Sequence, residues 1–219
     1  VTTGVIRATL EGSAAELATL TTSNSDLLTL KVTGTTATAT ELIAIDAKTS
    51  VKVNASAVTS ITDSAANLKT MYASKTISGL GNEAVTINDV AGASADAVNA
   101  ILKATTGKVT ATVLTSTDAK DLNADLKDAK ATDALKLTVT GEATASDLKA
   151  LDAKTSEVVT ATGITLITGN AADVKTVLKA EGITLDKEAT NAVAVEVTGK
   201  VSAADANTNK KATDGIVTA

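Results

Sequence analysis

Without cysteine the chain can form neither a disulfide nor a thiolate metal site, and without histidine it lacks the commonest metal ligand. Ser-His and Cys-His nucleophile pairs are excluded for the same reason. A Ser-Lys pair or two carboxylates are the catalytic sets left. Phenylalanine, tryptophan and proline are also missing, and tyrosine, methionine and arginine occur once each, as Tyr72, Met71 and Arg7. Aromatic rings normally fill the centre of a three-dimensional core. A core of Leu, Ile, Val and Ala alone suits thin repeated layers that each accept similar small side chains. The shortage of Tyr, Trp and Arg also removes the residues that dominate binding hot spots.

Charge is unremarkable in sign. The 20 basic and 25 acidic side chains give a net charge of −5 and are interspersed, so no basic stripe exists to recruit nucleic acid. No apolar run approaches the roughly 18 residues of a membrane span. The chain opens on Val1 with no visible signal segment and reads as a processed chain or an excised piece.

What is present is repetition. Thr144 to Ser156 (TASDLKALDAKTS) echoes Thr38 to Ser50 (TATELIAIDAKTS). Both belong to a series of helix starts at Ser13, Thr38, Ser64, Ser94, Asp118, Thr144, Asn170 and Ser202, spaced by 25, 26, 30, 24, 26, 26 and 32 residues. Most place Glu, Asp or Asn three residues after a small polar cap. The cap oxygen then takes an orphan amide and the acidic group complements the helix dipole. Apolar pairs such as Leu42 and Ile45, or Leu148 and Leu151, follow at helical spacing. Helices of about ten residues are marginal in isolation, so packing must come from neighbouring repeats.

Strands are expected before the caps, over 5–10, 28–33, 51–53, 84–87, 109–114, 135–140, 157–160 and 193–197, with second short apolar pieces at 58–61 and 164–167. Most alternate apolar residues with Thr, Lys or Glu, giving one buried and one solvated face. Strands that alternate with helices require parallel pairing and right-handed crossovers. The expected architecture is a right-handed α/β solenoid of about eight strand-turn-helix coils, 24–32 residues each, with a parallel sheet on one side and short helices on the other. The first four helix starts map onto the last four at offsets of 105, 106, 106 and 108. This predicts one repeat domain made of two duplicated four-coil blocks, about 5–107 and 108–215. In the last coil Ala206, Asn209 and Lys210 stand where the previous helix has Val174, Val177 and Leu178, which suits a polar terminal cap.

The run from Leu151 to Val174, its looser counterpart from Ile45 to Leu68, and GLGNEAVTI from Gly79 to Ile87 resemble Thr/Ala-rich tandem repeats. Such repeats belong to very large surface or secreted proteins of marine cyanobacteria and other aquatic bacteria. The resemblance implies an extracellular or cell-surface, adhesin-like or matrix-like role, and it carries no functional residues.

Three chemistries remain to weigh. Gly79-Leu80-Gly81-Asn82 precedes a strand rather than the helix a phosphate loop needs, so it reads as a turn. Calcium is conceivable at the recurring Asp46 and Asp152, but no acidic calcium-loop motif is present and no cofactor is expected. Thr33, Thr86, Thr110, Thr112, Thr138 and Thr140 form the candidate surface, an exposed Thr-lined sheet face open to a glycan, a protein or ice. Lys31, Lys52, Lys136 and Glu196 interrupt such rows. The leading expectation is a non-enzymatic structural repeat that acts as a spacer or self-assembles by its ends and edge strands, with surface glycans or matrix as further partners.

Overall fold

A computed structural model describes residues 4–187 and 192–218. Within them the chain is α/β, with eight helices and parallel sheets, none of them closed. It divides into two compact units, Val1–Ala93 with Ala100–Ala111, and Ser94–Asn99 with Thr112–Ala219.

The first unit runs β1 (Arg7–Gly12), α1 (Ala14–Ala18), β2 (Leu27–Val32), β3 (Thr36–Thr38), α2 (Ala39–Asp46), β4 (Val53–Asn54), β5 (Ser60–Asp63), α3 (Ala65–Ala73), β6 (Ile77–Ser78) and β7 (Ala84–Ile87). The division passes through α4 (Ala95–Leu102) and β8 (Val109–Thr112). One sheet has the order β1-β2-β4-β6, and a second runs β8-β7-β5-β3 within this unit. All the registered pairs are parallel.

The second unit continues with β9 (Ser116–Asp118), α5 (Ala119–Asp125), β10 (Ala134–Lys136), β11 (Thr138–Thr144), α6 (Ala145–Asp152), β12 (Val159–Gly169), α7 (Ala171–Lys179), β13 (Ile183–Leu185), β14 (Ala194–Val197), α8 (Ala203–Lys210) and β15 (Val217–Thr218). Its sheet has the order β15-β14-β12-β11-β9, with β13 added beside β12.

All eight expected helix starts are present. Seven have their cap side chain bonded to the N3 amide, and Ser94 Oγ accepts from Ala97 N at 3.3 Å. Ser13–Glu16 and Thr38–Glu41 complete both halves of the capping box. The strands differ more from expectation. The predicted strand at 51–53 begins only at Val53, because the Val51 amide is spent on the Thr49 hydroxyl in a turn. The predicted strand at 135–140 is two strands, β10 and β11, and the pieces at 157–160 and 164–167 join into β12. The turn at Gly79–Asn82 stands as expected. Gly79 has φ +86°, and a Cβ there would lie 2.7 Å from the Ser56 backbone.

The core is aliphatic. Leu30, Leu42, Ile45, Ile61 and Leu68 are fully buried in the first unit, as are Leu135, Leu148, Leu151, Ile167 and Val177 in the second. Met71 joins them, and Tyr72 stays half-buried with its hydroxyl donating to the Glu83 carboxylate.

Candidate functional site

The threonines separate by sheet. In the first unit Thr86 and Thr110 are exposed and directly opposite each other on β7 and β8. The register extends the row to Thr62 on β5 and Thr38 on β3. These four residues lie 24 apart in sequence and about 4.8 Å apart across strands. Beside them runs Thr36, Ser60 and Ala84, also in register. The Thr38 hydroxyl is occupied, accepting from Glu41 N as the α2 cap. The hydroxyls of Thr62, Thr86 and Thr110 take no partner among the described residues.

Thr33 lies outside this row. It follows β2, is exposed, and donates its amide to Gly12 O at 2.9 Å. Thr112 ends β8 and falls in the second unit. Thr138 and Thr140 are half-buried on β11. Thr138 faces Thr160, which faces Thr184, while Thr140 faces Gly163. The second unit also holds the row Thr144-Thr168-Glu196-Thr218, the counterpart of Thr38-Thr62-Thr86-Thr110 with one carboxylate in place of a threonine.

Shallow grooves flank corresponding helix caps in the two units. One of about 380 Å³ is lined by Ser13, Thr36, Thr38, Glu41 and Thr62. The other, of about 240 Å³, is lined by Asp118, Glu142, Thr144, Asp147 and Thr168. Their polar groups are largely spent on the fold. Glu41 Oε2 accepts from Thr38 N at 2.8 Å, and Thr144 Oγ1 donates to Asp147 Oδ2 at 2.6 Å.

The twin segments end differently from the exposed tail their polarity suggests. Thr49 and Thr155 are buried, 4% and 6% exposed, as are Thr105 and Thr213. Each of the four hydroxyls accepts the amide two residues on, Val51, Gly107, Glu157 or Gly215, at 3.0 Å. Each also donates to the backbone carbonyl of an earlier strand start, Leu28 O at 2.8 Å, Glu83 O at 2.7 Å, Leu135 O at 2.7 Å or Val193 O at 3.0 Å. Three of these junctions hold a buried acid, Asp26, Glu83 or Asp133, whose carboxylate collects turn amides. Amides of Ile6 and Ser23 hold Asp26 below the ordinary carboxyl range. Sequence reasoning missed these threonines because their partners are backbone groups some 20 residues away. The available signal was their recurrence.

Asp63 is a second device of this kind. It precedes the α3 cap, and its Oδ2 accepts both Thr40 N at 2.8 Å and Thr40 Oγ1 at 2.7 Å at the start of α2. Burial alone would raise its carboxyl, but hydrogen bonds from Thr40, Asn67 and Ser64 outweigh that and hold it low. Asp89 repeats the contact one helix later through Ala65 N at 2.8 Å.

Asp46 ends α2 and accepts the hydroxyls of Ser74 and Thr76 at 3.0 and 2.8 Å. Its counterpart Asp152 has Ala180 and Gly182 at those places, so the pair does not share one coordination set. Among the described residues no three acidic side chains are grouped to hold a metal ion, and no helix is long and apolar enough to cross a membrane. No protein-family model, no curated protein and no solved structure matches the chain.

Proposed function

We propose that this chain is a non-enzymatic structural repeat segment, a spacer or self-assembling unit of a bacterial surface, filament or extracellular-matrix protein, built as a right-handed α/β solenoid. The observation that carries this reading is where the repeated polar groups go. The caps are spent on their own helix starts, and the buried threonines with Asp26, Asp63 and Asp89 bond to the backbone of neighbouring repeats, so repetition serves stacking rather than a ligand. What remains reactive is an edge. β1 lies at the border of its sheet with Ile6 at 38% and Val5 at 58% exposure, whereas Leu28 and Leu30, in register with its Ala8 and Leu10, are buried. An unpaired strand with an open apolar side recruits another chain. Light scattering and electron microscopy over rising concentration test this: polymers are expected, and Thr9→Pro, which removes an amide from the open side of β1 while the register leaves the amides of Ala8 and Leu10 to β2, suppresses them. A strict monomer that retains glycans on an array would instead favour a binding module.

A second reading rests on the first unit's threonine row, which carries no charge between Thr38 and Thr110. Regular hydroxyl and methyl groups at strand spacing can order water, making this face an ice-binding plane. Thermal hysteresis that disappears in Thr86→Glu, which copies the Glu196 interruption of the second unit, is the expected result. No hysteresis in the unmutated chain would end this reading.

A further inference from the structure

Among the described residues, the last helix alone carries a fully buried side chain whose polar atoms all lack a partner. Asn209 is 0% exposed, and neither atom of its carboxamide has a partner. It stands at the position of Val177 in the preceding helix and is the one buried residue of α8, where α7 buries Val174, Val177 and Leu178. An unsatisfied buried amide costs more than the apolar group it replaces contributes, so α8 is attached weakly. The strand that follows is equally slight. β15 is two residues long and covers only Val195 and Glu196 of β14, while Ile216 beside it is 74% exposed. It is fastened by the Thr213 hydroxyl on Val193 O, the Val195 amide on Ile216 O, the Asp214 amide on Lys187 O and a long Thr218 hydroxyl contact to Val195 O at 3.4 Å.

We propose that α8 and β15 form a detachable cover, and that its opening uncovers β14 as the docking edge for β1 of a second copy of this chain. The inference rests on the self-assembly reading above and adds the surface and the register. The chemistry of the two edges matches. On β14, Val195 and Val197 are buried and Glu196 points outward. On β1 the positions in register with buried residues of β2 are Ala8 and Leu10, which by strand alternation groups Ile6 with them and turns Arg7 outward. A parallel pairing that sets Ile6 and Ala8 beside Val195 and Val197 brings Arg7, the one arginine in the sequence, opposite Glu196. Opposite charges facing each other across strands stabilise a pairing, and like charges oppose it. Among the described residues neither Arg7 nor Glu196 makes an ion pair. β14 has four residues, of which β15 occupies two, whereas in this register Val5 to Ala8 lie beside all four, so the incoming segment has more edge to gain than the cover gives up.

Two measurements on the full chain separate the parts. Hydrogen exchange on the monomer at low concentration reads the cover. Amides of α8 and β15 are expected to exchange faster than those of α7 by on the order of tenfold or more, the factor one unsatisfied buried group implies, and Asn209→Val is expected to slow them. Equal protection in α7 and α8 overturns the cover and leaves self-assembly standing. Growth of polymers, followed by scattering, reads the docking. Asn209→Val slows it, Arg7→Glu suppresses it, and the exchanged pair Arg7→Glu with Glu196→Arg restores it. If the exchanged pair stays as inactive as Arg7→Glu, the β14–β1 register is wrong. If the unmutated chain never grows at any concentration, the self-assembly reading itself fails, whatever the exchange data give.

Discussion

Asn209 and Thr155 show how one side chain acquires opposite meanings from its neighbours. Both are polar and fully or nearly buried. Thr155 has every bond its hydroxyl can make, with Leu135 and Glu157 amides donating and the Leu135 carbonyl accepting. Asn209 has none. Polarity in the sequence marks both as surface residues, and the polar last helix reads as a solvent-facing cap. In fact Asn209 faces inward, because the cap at Ser202 fixes the helix phase and places it about two turns on, at the Val177 position. Asn209→Val is therefore expected to stabilise the second unit by about 1–3 kcal/mol, the usual cost of an orphaned buried amide. Urea unfolding checks it; a midpoint no higher than that of the unmutated chain would mean the amide is satisfied.

Elements were legible to the extent that their chemistry is local. A small polar cap defines a helix start within one turn of chain, reinforced by an acid three residues later at six of the eight and by an apolar pair in all but the last, so all eight could be placed from Ser13 to Ser202. Short strands could not. β6 at Ile77–Ser78 and β9 at Ser116–Asp118 have too few residues for any alternation, and they exist because a parallel neighbour supplies their hydrogen bonds. The threonine row was legible only as pairs two apart on one strand. Its real extension is across strands, through Thr38 and Thr62, and follows from register rather than from spacing along one strand. Helix-to-helix ties carry a pH signature. Folded Asp63 holds its proton less tightly than the unfolded chain does. Its contribution is thus complete above the ordinary carboxyl value near 3.9 and is lost as pH falls through the lower folded value. Asp63→Asn is expected to lower stability at neutral pH and to flatten the acid limb of a stability–pH profile. An unchanged acid limb would show that the carboxylate is not held by Thr40, Asn67 and Ser64.

At the scale of the molecule, the twin segments mark a shorter rhythm than their own separation. Thr49, Thr105, Thr155 and Thr213 follow alternate helices, 56, 50 and 58 residues apart, and the buried acids Asp26, Glu83 and Asp133 follow the helices between, 57 and 50 apart. Two strand–helix repeats, one ending on a buried acid and the next on a buried threonine, make one building block. The offset of 106 residues between the twins contains two such blocks. Each threonine reaches back to the strand start at its partner repeat's junction, so the pair is joined by bonds from the threonine hydroxyl to the backbone as well as by apolar packing. That arrangement explains why the Asp-Ala-Lys-Thr-Ser ending is copied so closely without forming a ligand site. The most direct measurement is amide exchange at Leu135 and Glu157 in Thr155→Val and Thr155→Ser. The account predicts that valine releases protection at both amides and that serine, which keeps the hydroxyl, restores it. Full protection of both amides in the valine variant would contradict it.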